Sequence, residues 1–115
     1  MEKRNIILEK SFDFALSIIE FAEELENQKK FVIAKQILKS GTSIGANIRE
    51  AQSCESRADF IHKLKISAKE ADETEYWLLL CKHSKSYKYD EKLLPKLEEI
   101  QKLLTAIISS ARKNK

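Results

Sequence analysis

Turn-forming residues are nearly absent from this chain: its 115 residues hold two glycines and one proline. A sandwich or barrel needs a turn roughly every 8–12 residues, so strand-rich folds are excluded and an all-α fold is expected. Cysteine is scarce as well. Cys54 and Cys81 lie far apart with no Cys-x-x-Cys pair, which leaves no disulfide framework or zinc motif and reads as two small buried core residues. Two histidines, His62 and His83, are too few for a symmetric metal centre within one chain. No apolar run approaches the roughly 20 residues of a membrane span. The N-terminal Met-Glu-Lys-Arg-Asn lacks the apolar stretch of a signal peptide, so a cytoplasmic protein with no membrane role is expected.

What remains is apolar and charged. With 43% apolar and 34% charged residues and a mean hydropathy of −0.42, the chain is long enough for one domain, residues 1–115, with a core of its own. Helical periodicity marks four segments. Residues 6–25 carry two adjacent apolar stripes, one of Leu8, Phe12, Ala15, Ile19 and Ala22, the other of Ile7, Phe14, Ile18, Phe21 and Leu25. Together they make one broad buried face. Asn27 is positioned to cap a second helix whose core stripe runs Ala34, Ile37, Gly41, Ile44, Ile48 and Ala51. Ser56 and Asp59 resemble a capping box opening a third helix that ends near His83. That helix buries Phe60, Leu64, Ala71, Leu78 and Cys81. After an aperiodic stretch over 83–90, Pro95 places the start of a fourth helix near Leu94, with Leu97, Ile100, Leu104, Ile107 and Ala111 inward. Short connections between helices of similar length predict an antiparallel up-and-down four-helix bundle. Ile6, Leu16, Val32, Ile66 and Leu103 fall off these stripes. That surplus of apolar residues predicts a homo-oligomer.

Both glycines, Gly41 and Gly45, stand inside the second helix, where each costs about 1 kcal/mol relative to alanine. Spacing of four puts them on one side of the helix. Close helix packing or a ligand against the main chain would compensate. Gly41 falls in the core stripe and Gly45 at its edge, which favours packing, against helix three or a neighbouring subunit at the margin.

No catalytic constellation is present. A di-iron bundle needs Glu-x-x-His on two helices; here Asp59 and His62 are the one carboxylate–histidine pair at that spacing. Glu70, Asp72, Glu73 and Glu75 spread over more than half of a helix circumference and do not converge. The chain is therefore read as a non-enzyme without metal or cofactor. Charge distribution is more telling than the net +3. Residues 1–28 carry three basic and seven acidic side chains, and residues 29–115 carry eighteen basic and eleven acidic. On helix two, Lys35, Lys39 and Arg49 share the side opposite the core stripe, as a phosphate-tracking row would. The aperiodic stretch adds Lys85 and Lys88 beside Tyr87 and Tyr89, rings of a type that stacks on unpaired bases. These residues make nucleic acid the expected partner. Ordinary solubilising charge, and tyrosines that lid the end of the bundle around a protein-interaction scaffold, form the alternative.

The sequence Ser40-Gly-Thr-Ser-Ile-Gly-Ala-Asn-Ile-Arg-Glu-Ala51, followed by Ser56, Asp59-Phe60, Lys63-Leu64, Ala68 and Glu70-Ala-Asp-Glu-Thr-Glu-Tyr-Trp-Leu78, resembles the bacterial family of proteins encoded in 23S rRNA intervening sequences. The resemblance implies an antiparallel four-helix bundle assembling into a ring, commonly a pentamer. Relatives include the accessory proteins of diversity-generating retroelements, which makes RNA or a ribonucleoprotein the implied partner class. It carries over no catalytic residues.

Overall fold

The computed structural model describes residues 5–113. It contains four helices, α1 (Ile6–Asn27), α2 (Phe31–Ala51), α3 (Arg57–His83) and α4 (Leu93–Lys113), with no strand among the described residues. Each helix packs on its chain neighbours, and α4 closes back on α1. The backbones of the diagonal pairs α1–α3 and α2–α4 do not approach one another closely, as in an antiparallel up-and-down bundle. It measures 49 × 28 × 21 Å.

Local chemistry sets the ends of the helices. Asn5 caps α1, its side chain accepting from the Leu8 amide at 3.3 Å, and Ser56 caps α3 by accepting from the Asp59 amide at 3.1 Å. The α1–α2 turn differs from the sequence expectation: Asn27 is the last residue of α1, and α2 starts after Lys30 with no side-chain cap. Instead Lys29 adopts a left-handed conformation with φ 63°. The Lys30 amide bonds the Leu25 carbonyl and the Lys29 amide bonds the Glu26 carbonyl, both at 2.8 Å. This is a Schellman ending with lysine where glycine is preferred. Asp90 turns the chain into α4, its carboxylate accepting from the Lys92 amide at 2.9 Å. Pro95 is the third residue of α4, inside the first turn, where the missing N–H costs no helical hydrogen bond.

The core is built from fully buried Phe14, Ile18, Leu25, Ile37, Ile44 and Ile48 on α1 and α2, and from Leu64, Leu78, Leu97 and Leu104 on α3 and α4. On α1 only the stripe through Ile7, Phe14, Ile18, Phe21 and Leu25 is fully inward. Phe12 and Ile19, expected inside, point outward at 65% and 39% exposure, while Ala22 is buried. The glycines explain this rotation. A Cβ on Gly41 would lie 2.8 Å from Ile18 Cγ2, and one on Gly45 3.3 Å from Ser11 Oγ. Both glycines therefore face α1, and within the bundle Gly45 meets α1 where α3 was expected. On the other side of α2 the close contact is polar: the Ser67 hydroxyl donates to the Ile44 carbonyl at 2.8 Å, and Thr74 Oγ1 lies 2.9 Å from Ser40 Oγ. Small residues thus draw α2 tightly between α1 and α3, while α4 packs more sparsely.

Two substitutions should move stability in opposite directions. Gly41→Ala gains about 1 kcal/mol of helix propensity but overpacks a buried isoleucine, so a net loss of about 1–2 kcal/mol is expected. Lys29→Gly relieves the left-handed residue and should gain up to about 1 kcal/mol. Thermal melts by circular dichroism check both, and an unchanged Tm for Gly41→Ala would contradict the close-approach assignment.

Candidate nucleic-acid interface

α2 is oriented by its glycines, and that orientation fixes where its basic residues go. Lys35, Lys39 and Arg49 all project from the exposed side of the helix. They span 14 residues, or about 21 Å of helix axis at 1.5 Å per residue. None forms an ion pair with a described carboxylate. Thr42, between them, turns its hydroxyl back to the Leu38 carbonyl at 2.6 Å. Lys39 lies near Glu70. Burial and the charge of Glu73 push the Glu70 carboxyl above its ordinary range, with Lys39 pulling the other way.

The loop between α3 and α4 folds onto the end of the bundle where α2 begins. Lys85 and Lys88 are exposed, and Lys88 Nζ stands 3.9 Å from Glu24 Oε1. Tyr87 is half-buried against the core, with Lys30 Nζ 4.9 Å above the centre of its ring and 3.4 Å from the Ser86 hydroxyl. Tyr89 packs edge-on against Phe21 at 6.2 Å. The two rings therefore sit in the lid over the end of the bundle, and Lys30 already covers one face of Tyr87. Lys35 begins the α2 row about 7.5 Å along the axis from Lys30, so the loop lysines adjoin one end of the row and Arg49 stands at the other.

Between these charges lies an apolar surface that the basic residues alone did not reveal. Phe12, Leu16 and Ile19 on α1 and Phe31, Val32 and Leu38 on α2 are all exposed, Phe31 at 59% and Val32 at 74%. A groove between the two helices is lined by Leu8, Phe12, Ala15 and Gly45 together with the charged Glu9 and Arg49. On α3, Tyr76, Leu79 and Leu80 are exposed too, whereas α4 presents no large apolar side chain to solvent. The sequence signal was the off-stripe surplus. Ile6, Leu16 and Val32 are exposed as that surplus implied, while Ile66 and Leu103 are half-buried.

A family model described as 23S rRNA-intervening sequence protein matches residues 3–106. The chain belongs to this family. A solved structure of a protein of unknown function from the S23 ribosomal protein family of Bacteroides thetaiotaomicron VPI-5482 is 51% identical. It superimposes with a TM-score of 0.85, covering 89% of this chain and 97% of the other. No curated protein matches the sequence.

The titratable groups of this member of the 23S rRNA-intervening sequence family are mostly dispersed over the surface. Among the described residues no group of three or more His, Cys, Asp and Glu converges as metal ligands, and no helix is long and apolar enough to cross a membrane. Cys81 is buried, which pushes its thiol up to about 11. Cys54 is only half-buried, its Sγ 3.8 Å from the Glu50 carbonyl. Tyr89 is the most perturbed phenol. Its hydroxyl is buried without a well-aligned hydrogen-bond partner. Burial, then the nearby Glu91 carboxylate, raise it to about 12, against a smaller opposite pull from the Leu94 backbone.

A phenol whose folded pKa lies above the ordinary value near 10 holds its proton more tightly in the folded state. Its contribution is fully present below about pH 10 and is lost as pH rises through about 12. Tyr89→Phe should therefore leave stability at neutral pH unchanged or slightly higher, because no hydrogen bond is lost. It should also make alkaline unfolding shallower. Chemical denaturation at neutral pH and along the alkaline limb checks both, and a marked loss at neutral pH would reveal a partner for the hydroxyl.

Proposed function

We propose that this protein is a non-enzymatic helical bundle that self-associates and binds nucleic acid, RNA in preference, through the outer side of α2 and the loop that precedes α4. The observation that carries the reading is the row of Lys35, Lys39 and Arg49, three exposed cations with no ion pair to a described carboxylate, extended at one end by Lys85 and Lys88. Exposed cations spaced along about 21 Å suit a ligand of regularly repeated negative charge. Tyr87 contributes by seating the loop under Lys30, and its ring meets a base only where the loop opens. The family's description, which names 23S rRNA, favours RNA over DNA. A cytoplasmic setting follows from the same reading.

Self-association is supported by the exposed apolar residues of α1, α2 and α3 and their absence from α4. Large exposed patches of this kind mark interaction surfaces. With that surface covered, Lys35, Lys39 and Arg49 stand at the rim of the contact. A ring, and the pentamer implied by the family resemblance, is the proposed form. A second reading is favoured by Phe31 and Val32, whose exposure at the start of α2 also suits a protein partner. In that reading the assembly is a scaffold and the lysines only solubilise it.

Two measurements test these proposals. In filter binding at low salt, Lys35→Glu/Lys39→Glu should weaken RNA affinity about tenfold or more, with the loss shrinking as salt rises. Undetectable binding by the unmodified protein, or an unchanged affinity for the variant, sinks the nucleic-acid reading. Light scattering should give a multimer for the unmodified protein and a monomer for Phe12→Glu/Leu16→Glu. A monomer in both would remove the self-association proposal.

A further inference from the structure

The charges of α3 and α4 are sorted along the length of the bundle, and the antiparallel packing sets like beside like. Residues 60–69 of α3 carry Lys63, Lys65 and Lys69 with no acidic residue, and residues 103–113 of α4 carry Arg112 and Lys113, again with none. Outside these two stretches lie the carboxylates: Asp59 before the basic stretch of α3 and Glu70, Asp72, Glu73 and Glu75 after it, Glu91 before α4, and Glu98 and Glu99 on it. At the basic end, an open groove of about 520 Å³ is lined by Lys65, Thr105, Ile108, Ser109, Arg112 and Lys113. It has three cations, two hydroxyls and no carboxylate.

Several surface lysines are paired with carboxylates. Lys10, Lys63, Lys96 and Lys102 each lie 2.6–3.1 Å from a carboxylate oxygen. Lys65, Lys69, Arg112 and Lys113 have no such partner among the described residues. Arg112 and Lys113 are stabilised by the C-terminal end of the α4 dipole, but that does not account for Lys65 and Lys69, which extend the cluster on α3. Solubility alone is served as well by interleaved signs. Gathering unpaired cations in one groove costs mutual repulsion that a bound polyanion would relieve.

We infer that the groove between the first half of α3 and the last half of α4 binds the sugar–phosphate backbone of RNA. This rests on the nucleic-acid reading above and moves part of the contact to the far side of the bundle. Lys65 and Arg112 reach from facing walls, Lys113 and Lys69 extend the cationic track, and Ser109 and Thr105 offer hydroxyl donors. No aromatic ring lines the groove, so recognition there is of phosphate and sugar, without base preference. Because α4 carries no large exposed apolar residue, the groove stays open when the α1–α3 surface is covered by self-association.

The test is fluorescence anisotropy with a labelled single-stranded oligouridylate of about 20 nucleotides, titrated between roughly 50 and 200 mM salt. The variant Lys65→Gln/Arg112→Gln/Lys113→Gln removes three exposed charges without touching the core. It should lower affinity at least about tenfold at the lowest salt and reduce the slope of log affinity against log salt by about 2, at about 0.7 per lost phosphate contact. A control, Lys10→Gln/Lys92→Gln/Lys96→Gln, removes equal charge elsewhere and should stay within about twofold. Melting curves verify that both variants fold. If the unmodified protein binds and the groove variant matches it in affinity and slope, the groove is wrong while the α2 reading stands. Equal losses in both variants also overturn the groove, in favour of diffuse charge. No binding by the unmodified protein removes both.

Discussion

At Gly41 the backbone of α2 approaches Ile18 so closely that a single added carbon would sit 2.8 Å from the isoleucine branch. That contact fixes the separation of α1 and α2, and it also fixes how each helix is rotated about its axis. Ile18 and Ser11 must face α2, so Phe14 and Phe21 turn inward and Phe12 turns out. Ser40, next to Gly41, faces α3 and meets Thr74. Once α2 is held on both sides by its small residues, one side remains, and it carries Lys35, Lys39 and Arg49. The position of the basic row is a consequence of packing on the opposite side of the same helix.

Charge is managed differently on the different helices. α1 and α4 exchange cross-helix pairs, Lys10 with Glu99 and Lys96 with Asp13, and α2 and α3 share Lys63 with Glu50. Exposed pairs like these contribute little to stability, but each removes a cation from the set available to a ligand. The cations without an ion pair among the described residues include those on the outer side of α2 and those of the groove at the basic ends of α3 and α4. A short, weakly basic chain can thus present concentrated positive potential while its net charge stays at +3.

The number of helices, their order and most of their inward residues were legible because periods of three and four repeat over many turns. Helix one was the exception. Its two apolar stripes are adjacent and both hydrophobic, so hydropathy cannot choose between them; the choice is made by Gly41 and Gly45, which admit Ile18 and Ser11. Buried Ser11, Ser40, Ser67 and Thr74 were invisible to a count of apolar residues for the same reason. The turn after α1 was misplaced because a left-handed lysine leaves no mark in sequence where asparagine, two residues earlier, offers a familiar cap. At the candidate interface, the exposure of Lys35, Lys39 and Arg49 followed from phase alone. The ring contacts of Tyr87 and Tyr89, and the alignment of Lys65 with Arg112 across two helices, depend on tertiary placement that one helix's periodicity does not contain.

The sparser packing of α4 has a consequence for how the bundle opens. Helices α1, α2 and α3 are joined by short connections and interlocked through small residues, whereas α4 follows a longer loop and lacks a comparable close seam. Regions with fewer buried contacts exchange their amides through partial opening, well below the free energy of global unfolding. The bundle therefore has three closely seamed helices and a more sparsely held fourth, and amide protons of α2 are expected to outlast those of α4. Release of α4 uncovers the inner faces of α1 and α3, so the least protected helix is also the one that keeps the core from recruiting a stranger.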